Sequence, residues 1–148
     1  MKDKLRGART LVVRARGLLS TGRIEEAEEA ARRAVSALEG DESDALLFEA
    51  LTLLGTARAR SLRAEAARAS FRRAAELAEE AGDNEAAGRA SLSHLEELAG
   101  QMSAGEMRET YLRADRLLAD SPHRETLARL RRCASLVVGA VDKEARSE

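Results

Sequence analysis

Apolar residues recur along this chain at i, i+3, i+4 and i+7 spacings, and the alternation that marks a strand is absent. Such spacing turns one stripe of a 3.6-residue helix toward a core. Breakers interrupt the pattern at Thr21-Gly22, Gly40-Asp41, Arg60-Ser61, Gly82-Asp83, Gly100 to Ser103, and Ser121-Pro122. The stretches between them predict seven helices, over about 4–20, 24–39, 42–60, 63–81, 84–100, 104–119 and 122–141. Ser103-Ala104-Gly105-Glu106 has the capping-box form, in which the Ser103 hydroxyl and the Glu106 carboxylate each accept from an orphan amide. Ser121 before Pro122 reads as an N-cap with proline at the first helical position, where a missing N–H costs nothing.

The helices repeat in pairs. Ala27, Ala67 and Met107 are spaced by 40 residues, as are Ala31, Phe71 and Tyr111, and Ala34, Ala74 and Ala114. Leu38 and Leu118 keep the register, and Leu18 and Leu98 keep it on the preceding helices. On each of these helices the matched residues stand at i, i+4 and i+7, a stripe that another helix approaches closely.

On these residues the chain resembles the tetratricopeptide repeat family, whose pattern puts Leu or Trp, Leu and Gly on a first helix and Ala, an aromatic and Ala on a second. Leu51, Leu54, Gly55, Ala67, Phe71 and Ala74 match it. A first repeat matches through Leu11, Ala15, Gly22, Ala27 and Ala34, with Arg14 and Ala31 in place of a Leu and an aromatic. A third keeps Tyr111 and Ala114 but has Ser91, His94 and Leu95 on its first helix and Met107 where Ala is expected. The family's usual period is about 34 residues. The extra residues here all lie between one repeat's second helix and the next repeat's first, as in lengthened repeats of bacterial signalling and transcription regulators.

The resemblance implies an all-α, right-handed helical-repeat solenoid of about seven antiparallel helices in a single domain over 1–148. Its repeats fall at about 8–41, 42–82 and 83–120, with a capping helix over about 122–141. Composition carries a rival reading, a helical bundle without solenoid curvature. More loosely, the segments 76–83, 96–98, 111–115 and 125–130 look like repeats that precede the ATPase module of some bacterial enhancer-binding transcription activators. No ATPase motif is present, so that likeness implies a sensory or interaction region of a larger regulator.

Composition changes the kind of core. The 148 residues contain three aromatics (Phe48, Phe71, Tyr111), 30 Ala and 21 Leu, which favours close helix packing over bulky filling. No apolar run approaches membrane-spanning length and no signal-type segment follows Met1, so a cytoplasmic location is expected. Net charge is −1, which disfavours general nucleic-acid or anionic-membrane binding. The charge is unevenly spread: +6 over residues 1–23, −2 over 24–75, −7 over 76–120 and +2 over 121–148.

Candidate chemistry is sparse. His94 occupies a packing position near Leu95 and Leu98, and His123 reads as a surface residue. With Cys133 as the single cysteine there is no disulfide framework and no zinc-ligand spacing. Cys133 lies beside Leu130 and Val137 on one stripe, as a buried structural thiol does. The acid pairs Glu25-Glu26, Glu28-Glu29, Glu79-Glu80 and Glu96-Glu97 read as solvated faces, since adjacent helical positions diverge. No Glu-x-x-His pattern and no Gly-rich phosphate loop occurs. Neither an enzyme nor a cofactor is expected.

Binding is better supported. The resemblance implies a concave surface lined by Arg9, Val12, Arg16, Leu19 and Ser20, then Glu49, Thr52, Leu53, Thr56 and Arg60, then Arg89, Leu92, Ser93, Glu96 and Ala99. Arg9 and Arg16 stand about two turns apart, with Lys2 continuing the stripe, and suit an acidic peptide or a terminal carboxylate. The alternative is that 22 Arg against 3 Lys simply makes a solvated surface. The family's carboxylate clamp needs Lys and Asn where this chain has Val12, Arg16 and Leu53, so that specificity is not implied. Arg58 stands where the family buries an apolar residue, and either snorkels past Thr56 and Leu62 or pairs with an acid such as Glu65. The function these features imply is a non-catalytic protein- or peptide-binding scaffold within a larger bacterial regulatory protein. The alternative is an oligomerisation module that assembles copies through charge-complementary ends.

Overall fold

The computed structural model describes residues 2–40 and 45–147. Asp41 and the expected start of the third helix at residue 42 lie outside the described residues, as does the side chain of Lys2. Seven α-helices account for most of the chain: α1 (Lys2–Ser20), α2 (Ile24–Leu38), α3 (Ala45–Arg60), α4 (Ala64–Glu80), α5 (Asn84–Leu98), α6 (Ala104–Leu117) and α7 (Arg124–Ser147). A single 3-10 turn, Ala99–Gln101, follows α5. Among the described residues there is no strand. Among the described residues no helix is long and apolar enough to cross a membrane.

Each helix packs on the next, and α1 also packs on α3, α3 on α5 and α5 on α7. The odd-numbered helices therefore form one row, an arrangement shared by helical bundles and helical repeats. Burial follows the 40-residue offset. Ala27 and Ala67 are fully buried and Met107 nearly so, and Ala34, Ala74 and Ala114 show no exposed surface. Gly55 supplies a close approach between helices: a Cβ built there would lie 2.7 Å from the Phe71 ring. Glycine at this point on α3 lets α4 bring its one core aromatic against the α3 backbone. Burying a side chain of that size contributes about 1.5–3 kcal/mol.

Three connections use one turn. The amides of Arg23, Arg63 and Asp83 donate to the carbonyls of Leu18, Arg58 and Ala78 at 2.9, 3.0 and 2.8 Å, the six-to-one bond of a Schellman motif. That motif needs a left-handed residue, and Gly22 and Gly82 supply it with φ of 78°. At the equivalent point Leu62 adopts φ 63° with 90% of its surface exposed.

Two helix starts differ from the expectation. Ser103 Oγ accepts from the Glu106 amide at 3.1 Å, but the Glu106 carboxylate accepts from Arg68 Nε at 2.9 Å rather than returning to the Ser103 amide. A charged donor outcompetes a backbone one. At α7 the first helical bond runs from the Leu127 amide to the His123 carbonyl, so His123 takes the cap position and Pro122 precedes the helix. Ser121 Oγ accepts only from the His123 amide, at 3.3 Å. The far end of α7 passes residue 141 by six residues, and Glu144 there accepts from the Ala104 amide at 3.3 Å, satisfying a donor at the start of α6.

Candidate functional site

Where α3, α5 and α7 lie side by side they enclose a groove of about 300 Å³. The repeat offset explains its lining. Glu49, Arg89 and Arg129 are successive at 40-residue spacing, so they hold equivalent positions on the three helices, and all three face the groove. Arg9 is the corresponding residue of α1 and is exposed beyond the groove. Leu53 and Thr52 of α3 and Ala86 of α5 supply a largely apolar floor over the buried Phe48 ring.

Most of the polar groups around that floor are already fixed. Glu49 pairs with Arg16, which ties α1 to α3. Arg129 donates to Ser93 Oγ at 3.1 Å and to the two Glu96 carboxylate oxygens at 2.6 and 3.1 Å. Burial alone would lower the Arg129 pKa, but the hydrogen bonds and charge of Glu96 outweigh it and hold the pKa above the ordinary value. Asp83 accepts from the Ala86 amide at 3.0 Å as the cap of α5. Arg89 is about half exposed and lies 3.8 Å from Glu85, beyond hydrogen-bond distance, so its guanidinium donors remain directed to solvent and groove. The result is an apolar trough with preorganised polar groups of both signs along its rim.

Of the expected lining, the groove brings together Glu49, Thr52, Leu53, Arg89 and Ser93. Arg16 and Glu96 stand behind it as partners of Glu49 and Arg129. Thr56 donates to the Thr52 carbonyl, Arg60 pairs with Glu97 at 2.8 Å, and Ala99 opens the 3-10 turn. Ser20 donates to the Arg16 carbonyl. Val12, Leu19 and Leu92 are corrected: at 1%, 8% and 0% exposure they belong to the core and offer a partner no surface. Val12 and Leu19 continue the stripe of Ala8 and Ala15 at helical spacing, and an apolar stripe is what a helix buries first. Phe48, Asp83, Ala86 and Arg129 were not anticipated. Arg129 carried a signal, because it extends the Glu49 and Arg89 series by another 40 residues into α7.

The acid pairs are not simple solvated faces. Glu79 accepts from Arg113 at 2.6 Å and from Arg116 at 3.3 Å, and these bonds hold its pKa below the carboxylate range. Glu28 pairs with Arg63, Glu96 with Arg129 and Glu97 with Arg60, so these carboxylates link neighbouring helices. Glu65 pairs with Arg68, whereas Arg58 donates to Ser70 Oγ at 2.9 Å and lies 3.8 Å from Glu28.

His94 is buried and stacked on Phe71, with ring centroids 5.6 Å apart. Its Nε2 has no hydrogen-bond partner and sits 4.0 Å from Glu106. Burial, helped by Arg72 and Arg68 and opposed by Glu106, pushes its pKa down to about 4, so the ring is neutral at neutral pH. Cys133 shows no exposed surface, and burial with Glu96 nearby pushes the thiol up to about 11 against the pull of Arg129 and Arg132. Among the described residues no three of His, Cys, Asp and Glu converge on a common point. Comparison with known protein families, curated proteins and solved structures returns no match.

Proposed function

We propose that this chain is a non-catalytic scaffold of the tetratricopeptide-repeat kind that holds an extended segment of a protein partner in the groove between α3, α5 and α7. The observation that carries the reading is the groove itself. Its floor of Thr52, Leu53 and Ala86, laid over the buried Phe48, is flanked by equivalent residues from three successive odd helices. Such a trough on one row of stacked helices is what the concave face of a right-handed solenoid would present, and Arg9 and Arg16 are exposed on the neighbouring α1. Arg89 and Arg9 favour a partner segment with acidic groups, since guanidinium forks bind carboxylates bidentately. The lengthened repeats favour a module of a larger bacterial signalling or transcription regulator, working in the cytoplasm.

The test is selection from a displayed random-peptide library. The native chain should enrich a related set of peptides, and Thr52→Arg, which fills the trough from its floor, should abolish their binding. Ala119→Arg, the same added charge beyond the end of α6, should leave it intact. Equal binding by the native chain and Thr52→Arg overturns the proposed groove.

A second reading, self-assembly, is favoured by one observation. The first and last helices expose apolar side chains, Leu5 and Val13 on α1 and Leu136, Val138 and Val141 on α7. Light scattering across a salt series separates assembly through charge, which dissolves as salt rises, from an apolar contact, which does not.

A further inference from the structure

On the opposite side of the molecule from the groove, α2 and α4 flank α3 and leave a second cleft of about 300 Å³. Its distinctive feature is cationic. Arg32 of α2, Arg58 of α3 and Arg73 of α4 all line it, together with the hydroxyl-bearing Ser36 and Ser70. Val35, Leu51 and Leu54 form an apolar base, and Glu39 is the one carboxylate among the described lining residues.

The charges do not balance. Glu28, the acid nearest Arg58, is engaged by Arg63 and stays 3.8 Å from Arg58 Nε. Arg32 pairs with Glu29, and Arg73 lies 3.7 Å from Glu39, both at half-exposed positions. Arg58 is the cation left over, three-quarters buried, with one bond to the neutral Ser70 hydroxyl and a buried Nε that has no partner. Burial and the neighbouring Arg32 both work against its charge. A largely buried cation whose one acid is shared with a second arginine and stays beyond hydrogen-bond distance is costly, and a packing position filled by Arg rather than an aliphatic residue needs a reason. Exposed pairs such as Arg32 with Glu29 are worth little, so both flanking guanidinium groups are free to turn inward toward a better anion.

We infer that this cleft binds a phosphate group, free or as a small organic monoester, held by Arg32, Arg58 and Arg73 and seated over the apolar base. Three guanidinium groups match the three peripheral oxygens of a phosphate, and their charge suits a dianion better than a carboxylate. The cleft volume lies at the small end of ligand pockets. The site shares no residue with the peptide groove and stands or falls independently of it.

Calorimetric titration of the full chain with inorganic phosphate, phenyl phosphate and benzoate at matched ionic strength tests this. Both phosphates should bind. Tighter binding of phenyl phosphate assigns an organic monoester, and equal binding assigns the free anion. Arg58→Leu should fold, as judged by circular dichroism, and bind phosphate about tenfold or more weakly, the loss expected when a charge-assisted hydrogen bond is removed. Arg32→Gln with Arg73→Gln, at exposed positions that folding does not need, should weaken binding similarly and decides the matter should Arg58→Leu not fold. Arg124→Gln with Arg131→Gln, exposed on α7 away from both clefts, removes the same charge and should change nothing. Absence of phosphate binding, equal binding of benzoate and phenyl phosphate, or equal loss in the control pair overturns the proposal.

Discussion

Gly55→Ala is the sharpest probe of how the helices meet. The added Cβ would lie 2.7 Å from two Phe71 ring carbons and 3.0 Å from a third, where ordinary contact begins at 3.4 Å. The ring must therefore retreat by about 0.7 Å. The ring is 1% exposed and stacked on the buried His94, so any retreat disturbs that contact. Overpacking of this kind costs about 1–3 kcal/mol. Replacing a mid-helix glycine by alanine returns about 1 kcal/mol of helix propensity, which leaves a net loss of up to about 2 kcal/mol. In a Phe71→Ala background the clash disappears while the propensity gain remains, so the same substitution should stabilise by about 1 kcal/mol. Urea unfolding of the four proteins measures a coupling of about 1–3 kcal/mol, with no stabilisation in the native background and stabilisation in the Phe71→Ala one. Stabilisation by Gly55→Ala in both backgrounds would show that α3 and α4 do not meet through this contact.

The burial of His94 makes stability depend on pH. Its folded pKa of about 4 lies below the unfolded 6.5, so the unfolded chain binds more protons, and about 3 kcal/mol of stability should be lost as pH falls from 6.5 to 4. His94→Phe should lack that part of the slope in denaturant midpoints measured over the same range, and an unchanged slope would contradict the assignment. Cys133, with its thiol pushed up to about 11 and no exposed surface, should resist a thiol-specific reagent at pH 8 in the native chain and react fully in urea; equal rates would mean that α7 is undocked. Leu62→Gly relieves a left-handed side chain that is 90% exposed and buries little, so it should stabilise by up to about 1 kcal/mol; a loss of similar size would show that Leu62 makes contacts worth more than its strain.

Helices were legible in this sequence because their stripes are regular and their ends carry Gly or Ser. The 40-residue offset also foretells which alanines are buried, since close packing of two helices recurs at equivalent positions and favours small residues at many of them. Legibility failed where a tertiary partner competed with a local one. Glu106 leaves its capping box for Arg68, and α7 runs on to a point where Glu144 reaches the Ala104 amide. Val12, Leu19 and Leu92 were placed on a binding face by a borrowed pattern although their own periodicity marks them as core. Glu49 and Arg89 line the groove because exposed positions on stacked helices recur with the repeat, whereas Thr52 lines it although its repeat equivalents, Val12 and Leu92, are core. Arg129 was missed only because the repeat was taken to end before α7, and Arg58 kept its oddity because no sequence rule names the partner of a buried cation.

The central claim is that one row of helices presents a groove to a peptide. Backbone chemical-shift mapping of the native chain with a peptide enriched from the library tests it most directly. Shifts should concentrate at Thr52, Leu53, Ala86, Ser93 and Arg129. Shifts confined to the outer faces of α2, α4 and α6, or to the exposed side of α7, would contradict it.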